Sequence, residues 1–186
     1  MEHIFPTFET TNFSFGPMTH ADITHIYALF SDPDTMKFDG GQTMNSMDEV
    51  YQFIHYFSAY HPEFPVLRWA IRSKDGRIFY GTGGFYNINS QHEKAEIGGE
   101  FFKQHWGKGV ATEAMNGIIA YGFNTLRLNR MTAMVAPANK AANALVRRAL
   151  FKHEGCLRQW EKWGNGWVDL NVYSLLQEEW IESTKN

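Results

Sequence analysis

Along this chain, apolar positions follow two rhythms, one near 3.6 residues and one of 2, and the changes between them outline the elements. Asn12 to Phe15 reads as a short strand that Gly16-Pro17 ends. Thr19 is an acceptable N-cap for a helix whose Ile23, Ile26, Tyr27 and Phe30 line one face. Pro33 and the pair Gly40-Gly41 make Asp32 to Gln42 a loop, and a second helix runs from Met47 to Tyr60 with Val50, Phe53, Ile54 and Phe57 on one side. From Leu67 the period shortens. Leu67 to Arg72 alternates, Lys74-Asp75-Gly76-Arg77 makes a hairpin turn, and Ile78 to Ile88 returns as a strand. Gly81, Gly83 and Gly84 weaken that strand and point to a bulge or a close backbone approach.

After a turn at Gln91 to Glu93, a strand over Ala95 to Phe102 leads into Gln104-His105-Trp106-Gly107-Lys108-Gly109. Ala111, Met115, Ile118, Gly122 and Leu126 then recur at helical spacing. Asn129 to Val135 is the next strand, stopped by Pro137, and Asn139 to Phe151 is an alanine-rich helix with Ala142, Leu145, Val146 and Ala149 inward. A strand over Cys156 to Trp160, a turn at Gly164-Asn165-Gly166 and a strand over Trp167 to Leu176 follow. Hairpins force antiparallel neighbours and a crossover helix forces a parallel one. The expected fold is therefore α/β (α+β): a mixed, mostly antiparallel sheet of about seven strands with about four helices, in a single domain over residues 1–186.

The glycines at 107 and 109 sit where a strand hands over to a helix. Without a Cβ they accept positive φ and a close ligand. The N–H groups from Gly107 to Thr112 belong to a first helical turn, where they lack intrahelical partners and meet the positive end of the helix dipole. A phosphate or diphosphate suits that place; an ordinary turn using glycine for shape is the other reading. Two well-known phosphate loops do not match. A P-loop needs Gly-Lys-Ser/Thr, but Val110 follows Gly109, and a dinucleotide fingerprint needs a small third residue where Thr112 stands, with a later acidic residue that is missing.

A third pattern fits. Gln104-x-x-Gly107-x-Gly109 resembles the Q/R-x-x-G-x-G/A signature of the GCN5-related N-acetyltransferases (GNAT). Ala95-Glu96-Ile97-Gly98 with Gly107-Lys108-Gly109-Val110-Ala111-Thr112-Glu113-Ala114 is similar to the run of the branch that acetylates ribosomal-protein N-termini. Asn139-Lys140-Ala141-Ala142, followed by Val146 and Phe151, resembles that branch's N-x-x-S…GF helix. The resemblance implies the acyl-CoA N-acyltransferase fold, acetyl-CoA as cosubstrate and an amine acceptor, either a protein N-terminus or a small amine. It also implies that Gly107, Lys108, Gly109, Val110, Ala111 and Thr112 cradle the diphosphate. The backbone of Phe101 and Phe102 would pair with the pantetheine arm, and Asn139 would bond its amides. Two departures stand out: no arginine lies in the first strand, and Ala142 replaces the serine that helps protonate the leaving thiolate.

Composition narrows the partners. The 186 residues are 44% hydrophobic and 16% aromatic, which excludes a disordered chain, and a net charge of -3 without a basic stripe argues against nucleic-acid binding. No run approaches the roughly 20 apolar residues of a membrane span, and the N-terminus lacks a signal-peptide pattern, so a cytoplasmic location without membrane contact is expected. The one cysteine, Cys156, excludes an internal disulfide and reads as a small buried hydrophobe rather than a nucleophile. The eight histidines form no H-x-x-x-H pair, so no metal is expected. An aromatic-rich surface is compatible with a homodimer.

Amine acetylation needs a base, because amines arrive protonated. Glu96 and Glu100 are the candidates, since regular alternation puts both on one face of the strand beside the thioester and a bulge would part them. Glu96 is favoured, as the glutamate of the matching string; a solvated strand carboxylate is the other reading. Glu100 replaces an aromatic of the branch. An N–H at Phe101, Phe102 or a neighbour would hold the oxyanion. Asn139 also suits a helix cap, Lys108 and His105 also suit plain exposure, and Met36, Phe38, Met44, Tyr51 and Tyr56 suit either an acceptor wall or the core. A module of the same fold that binds acyl-CoA without turnover is the alternative function.

Overall fold

The computed structural model describes residues 4–58 and 65–185. Eight strands form one sheet: β1 (Phe8–Glu9), β2 (Phe13–Gly16), β3 (Leu67–Ser73), β4 (Phe79–Asn89), β5 (Lys94–Phe101), β6 (Arg130–Val135), β7 (Lys152–Trp163) and β8 (Gly166–Leu176). Their order is β1-β2-β3-β4-β5-β6-β8-β7, antiparallel except where β5 meets β6. Six helices accompany them: α1 (Ile23–Phe30), α2 (Pro33–Met36), α3 (Met47–Ser58), α4 (Val110–Asn124), α5 (Lys140–Arg148) and α6 (Gln177–Thr184).

The class matches the periodicity, and the differences have local causes. β1 and α2 are too short to carry a period, so Asp32 to Gln42, read as a loop, contains a helix turn that Asp32 caps by accepting from the Asp34 N–H at 3.2 Å. The last strand pair is longer than read, because a bulge between Leu157 and Glu161 interrupts the alternation of β7. The second helix ends at Ser58; its expected last residues, 59 and 60, lie outside the described residues. Cys156, expected to be buried, is exposed on β7, which pairs on one side only.

Two apolar layers hold the sheet. On one face Leu67, Trp69, Ile71, Phe85, Ala95 and Ile97 meet Ala114, Ile118 and Phe123 of α4 and Val146 of α5. On the other, Ala70 and Phe79 meet Ile26, Leu29 and Phe30 of α1 and Val50 and Ile54 of α3. The alternation of β3 suggests a strand with one wet face, yet Arg68 is only 3% exposed, because α1 and α3 cover that side too. Both expected causes meet at Gly81: the β3–β4 register shifts beside it, from Ile71↔Gly81 to Arg72↔Phe79, and a side chain there would run into the backbone carbonyl of Glu100.

Candidate active site

The parallel pairing of β5 and β6 covers only Lys94 to Glu96 against Arg130 to Thr132. Beyond it β5 continues to Phe101 and β6 to Val135 without pairing to each other, while their outer neighbours stay bonded. The sheet therefore opens as a wedge. Because the Phe102 N–H donates to the Tyr80 carbonyl at 3.0 Å, strand alternation turns the amide groups of Phe101 and Gly99 away from β4 and into the wedge. Phe102 thus has its N–H engaged, and the Phe101 carbonyl accepts from Trp106 Nε1 at 2.7 Å.

The wide end of the wedge leads to the glycine turn. Gly107 (φ 71°) and Gly109 (φ 82°) both have left-handed backbones, and Gly109 is the N-cap of the 15-residue α4. A Cβ built on either meets no atom within 4 Å, so the space above the turn is open, as a close-lying anion requires. Lys108 is exposed beside it, Ala111 and Thr112 are half-buried, and the Val110 side chain joins the core, leaving its N–H as its offering. His105 packs edge-on to Tyr80 with centroids 4.8 Å apart, and burial, then the charge of Lys108, lower its pKa.

Glu113, in the first turn of α4, is a structural anchor. Its carboxylate accepts from Thr10 Oγ1, Asn12 N and Asn12 Nδ2, each at 2.7 Å, tying the β1–β2 turn to the helix start. Burial disfavours its charge, but the bonds from Asn12 and Thr10 outweigh that and hold its pKa below the ordinary value.

Across the wedge, Asn139 caps α5: its Oδ1 accepts from the Ala142 N–H at 3.0 Å. The cap leaves the Asn139 Nδ2 group as a donor. Asn143, which the helical pattern gave no reason to single out, locks this corner. Its Nδ2 donates to the carbonyls of Ala136 (2.9 Å) and Asn139 (2.7 Å), and its Oδ1 accepts from Asn171 Nδ2 (2.9 Å) and Tyr173 Oη (2.7 Å). Only its placement four residues after Asn139 in an alanine-rich helix hints at this role.

The two glutamates share a face. The β4–β5 register runs from Gly81↔Phe101 through Thr82↔Glu100 and Gly84↔Gly98 to Tyr86↔Glu96, and the irregularity falls beyond Tyr86. Glu96 and Glu100 therefore flank Gly98 on the side covered by α1 and α3. Glu96 is half-buried and accepts from Asn87 Nδ2 at 2.8 Å, where the backbone of Asn87 (φ 49°) follows the end of the regular register. Glu100 is nearly sealed, its side chain 10% exposed, ion-paired to Arg68 and accepting from Thr82 Oγ1 at 3.2 Å. Burial, followed by the facing carboxyl of Asp39, pushes Glu100 well above the ordinary carboxylate range. Burial lowers Arg68 to about 10, so it stays a cation at neutral pH.

Among the aromatic and methionine candidates, Met36 is buried, Phe38 and Met44 are half-buried, and Tyr51 and Tyr56 are 45% and 57% exposed. Among the described residues, no helix is long and apolar enough to cross a membrane, and no three His, Cys, Asp or Glu residues gather as a metal site.

A sheet parted between two strands, with a glycine turn and helix start at its wide end, is the architecture of an acyl-CoA-dependent acyltransferase. The acetyltransferase (GNAT) domain profile matches residues 13–152, and the chain belongs to that family of acetyl-CoA-dependent N-acetyltransferases. It is 34% identical over 174 residues to the uncharacterized N-acetyltransferase YoaA of Bacillus subtilis (strain 168), covering 94% of this chain and 98% of that protein. To the ribosomal-protein-serine acetyltransferase of Escherichia coli (strain K12) it is 29% identical over 96 residues, 52% of this chain and 54% of that one. Its fold is shared with spermidine N-acetyltransferase from Vibrio cholerae, solved in complex with CoA and spermine, at TM-score 0.81 and 21% identity, over 92% of this chain and 99% of that one.

Proposed function

We propose that this protein moves the acetyl group of acetyl-CoA to a primary amine, a protein N-terminal α-amine or a small-molecule amine, by direct attack with general-base help. The observation that carries this is the parting of β5 from β6 after Glu96, with β5 running on to the glycine turn and the start of α4. The first-turn N–H groups from Gly109 to Thr112, with Gly107 and Lys108, hold the diphosphate. Gly99 and Phe101 present their N–H groups to the pantetheine arm and the thioester carbonyl, as one more strand would be met, and Asn139 Nδ2 reaches the arm from the opposite side. Acetyl-CoA supplies the activated thioester.

Glu96 takes the proton of the incoming ammonium, directly or through a water, since Asn87 orients one of its oxygens and leaves the other to accept. Glu100, held by Arg68 and Thr82, is the second carboxyl on that face, and in its ionised form it draws the ammonium to the wedge. An N-terminal amine titrates near 8 and a lysine near 10.4, so the former is deprotonated for about 3 kcal/mol less. Ala142 offers no proton to the departing thiolate. A thiol of pKa near 8.5 leaves without one.

The test is acetyl-CoA-dependent thiol release with two probes, spermidine and a short peptide with a free N-terminal serine, chosen because relatives are named for such acceptors. Turnover with either probe, lost in Glu96→Gln while CoA affinity is kept, supports the assignment. Undiminished turnover in Glu96→Gln removes that residue from the role. CoA binding without thiol release from any amine favours an acyl-CoA-sensing module, the reading to which Ala142 points.

A further inference from the structure

The start of α4 carries an acidic side chain that is led away from it. Glu113 lies in the first turn, three residues after Val110, the spacing at which a glutamate reaches back to a backbone N–H in a capping box. Helical side chains lean toward the N-terminus, and the helix dipole draws a carboxylate there. Left to the helix alone, this carboxylate would lie over the first-turn N–H groups. Instead its oxygens face the β1–β2 turn: Oε1 accepts from Thr10 Oγ1 and the Asn12 N–H, and Oε2 from Asn12 Nδ2, each at 2.7 Å. The Thr10 hydroxyl is itself fixed within that turn, accepting from the Phe13 N–H at 3.2 Å. The turn comes this close because the helix makes room for it. At Gly117, one turn beyond Glu113, a Cβ would stand 2.5 Å from Thr10 Cγ2 and 3.3 Å from a Phe8 ring carbon. Phe8 continues along the same stripe, stacked on Tyr121 at 5.1 Å, and stacks on Phe15 at 4.1 Å. Glu113, Gly117 and Tyr121, four apart, are thus the face along which β1 and its turn lie, with the polar contacts at the helix start.

We propose that Thr10 and Asn12 are positioning residues for CoA: they hold the Glu113 carboxylate toward the β1–β2 turn and so keep the protein's own acid from competing with the diphosphate for the helix start. The proposal rests on the acetyltransferase reading above, with the diphosphate on the N–H groups from Gly109 to Thr112. A carboxylate and a diphosphate seek the same donors. Where both are present, like charges about one helical turn apart, roughly 5.4 Å, oppose each other. Without Thr10 Oγ1 and Asn12 Nδ2 the carboxylate keeps one donor of three, the Asn12 N–H, and the helix start becomes its better partner. The contact between β1–β2 and α4 therefore acts on CoA through Glu113 and not by touching the ligand.

The experiment is titration calorimetry of CoA with four forms of the full chain, each also melted: wild type, Thr10→Val with Asn12→Ala, Glu113→Ala, and all three changes together. The Thr10–Asn12 double variant binds CoA about tenfold more weakly, and its ratio to wild type shrinks as salt rises. Glu113→Ala lowers Tm yet binds CoA within about twofold of wild type, and the triple variant regains the affinity that the double variant loses. Stability and affinity then move apart. If the contact only braces the helix, Glu113→Ala weakens CoA as much as the double variant does and the triple variant regains nothing; that result overturns the proposal. So does an unchanged affinity in the double variant. Asn12 is exposed and keeps its N–H in Asn12→Ala, so where the double variant fails to fold that single change carries the same comparison, with a loss of about threefold that Glu113→Ala restores. Wild-type protein that binds no CoA, or binds it as well after Gly109→Ala, defeats the proposed site and this proposal with it. CoA binding that Gly109→Ala weakens and the double variant does not defeats this proposal alone.

Discussion

Replacing Gly109 by alanine separates what the glycine turn does for the fold from what it does for a ligand. In the folded chain Gly109 has φ 82°, and a Cβ there meets nothing within 4 Å. The stability cost is therefore that of a left-handed non-glycine residue, about 1 kcal/mol, with no steric addition. For a chain of this size that lowers Tm by about 2–4 °C. A diphosphate bound to the N–H groups at the helix start occupies that same open space, so the methyl displaces it and weakens at least one charge-assisted hydrogen bond, worth about 1.5–3 kcal/mol. The expected loss in CoA affinity is thus about 10- to 100-fold. Titration calorimetry with CoA and thermal melts of the same samples read both quantities. Gly107→Ala, at φ 71° with similar free space, repeats the measurement one step earlier in the turn. A Tm drop of the expected size with CoA affinity changed less than about threefold would show that nothing docks on this turn, and the site assignment would fall with it.

Glu113→Ala removes three hydrogen bonds of 2.7 Å that join the β1–β2 turn to α4, and a loss of about 2 kcal/mol in urea unfolding is expected, discounted for partial exposure. An unchanged midpoint would mean the anchor is idle. Leu150 closes α5 at φ 70°, where the Phe151 N–H reaches the Val146 carbonyl at 3.0 Å and the Leu150 N–H the Arg147 carbonyl at 3.1 Å. That is a Schellman end which favours glycine, so Leu150→Gly should raise stability by about 0.5 kcal/mol after its half-exposed side chain is lost; a lower Tm contradicts it. Glu154 is held at about 2 by hydrogen bonds from Arg130 and Ser174. With the folded pKa depressed from an ordinary 4.5, its contribution is present above pH 4.5 and lost as pH falls toward 2; Glu154→Gln should flatten acid unfolding across that window, and an unaltered acid limb refutes it.

Helical and alternating apolar spacing, together with the turn residues between, determined the element order, the mixed sheet and the strand–glycine–helix corner, because each is set by neighbours a few residues apart. The spacing of Glu96 and Glu100 by four already put both on one strand face, and the uninterrupted register confirmed it. Other features depend on residues distant in sequence. The wedge exists because β8 pairs along the whole of β6 while β5 departs after Glu96, and no local pattern encodes which strand keeps its neighbour. Glu113 and Asn143 look like ordinary helical polar residues until the β1–β2 turn and β8 arrive against them. Arg68 reads as the wet side of an alternating strand, and only the helices folded over it, with Glu100 brought beside it from 32 positions away, turn that arginine into a buried counter-charge. Periodicity records which face of an element is apolar; tertiary packing decides what that face, and the opposite one, meets.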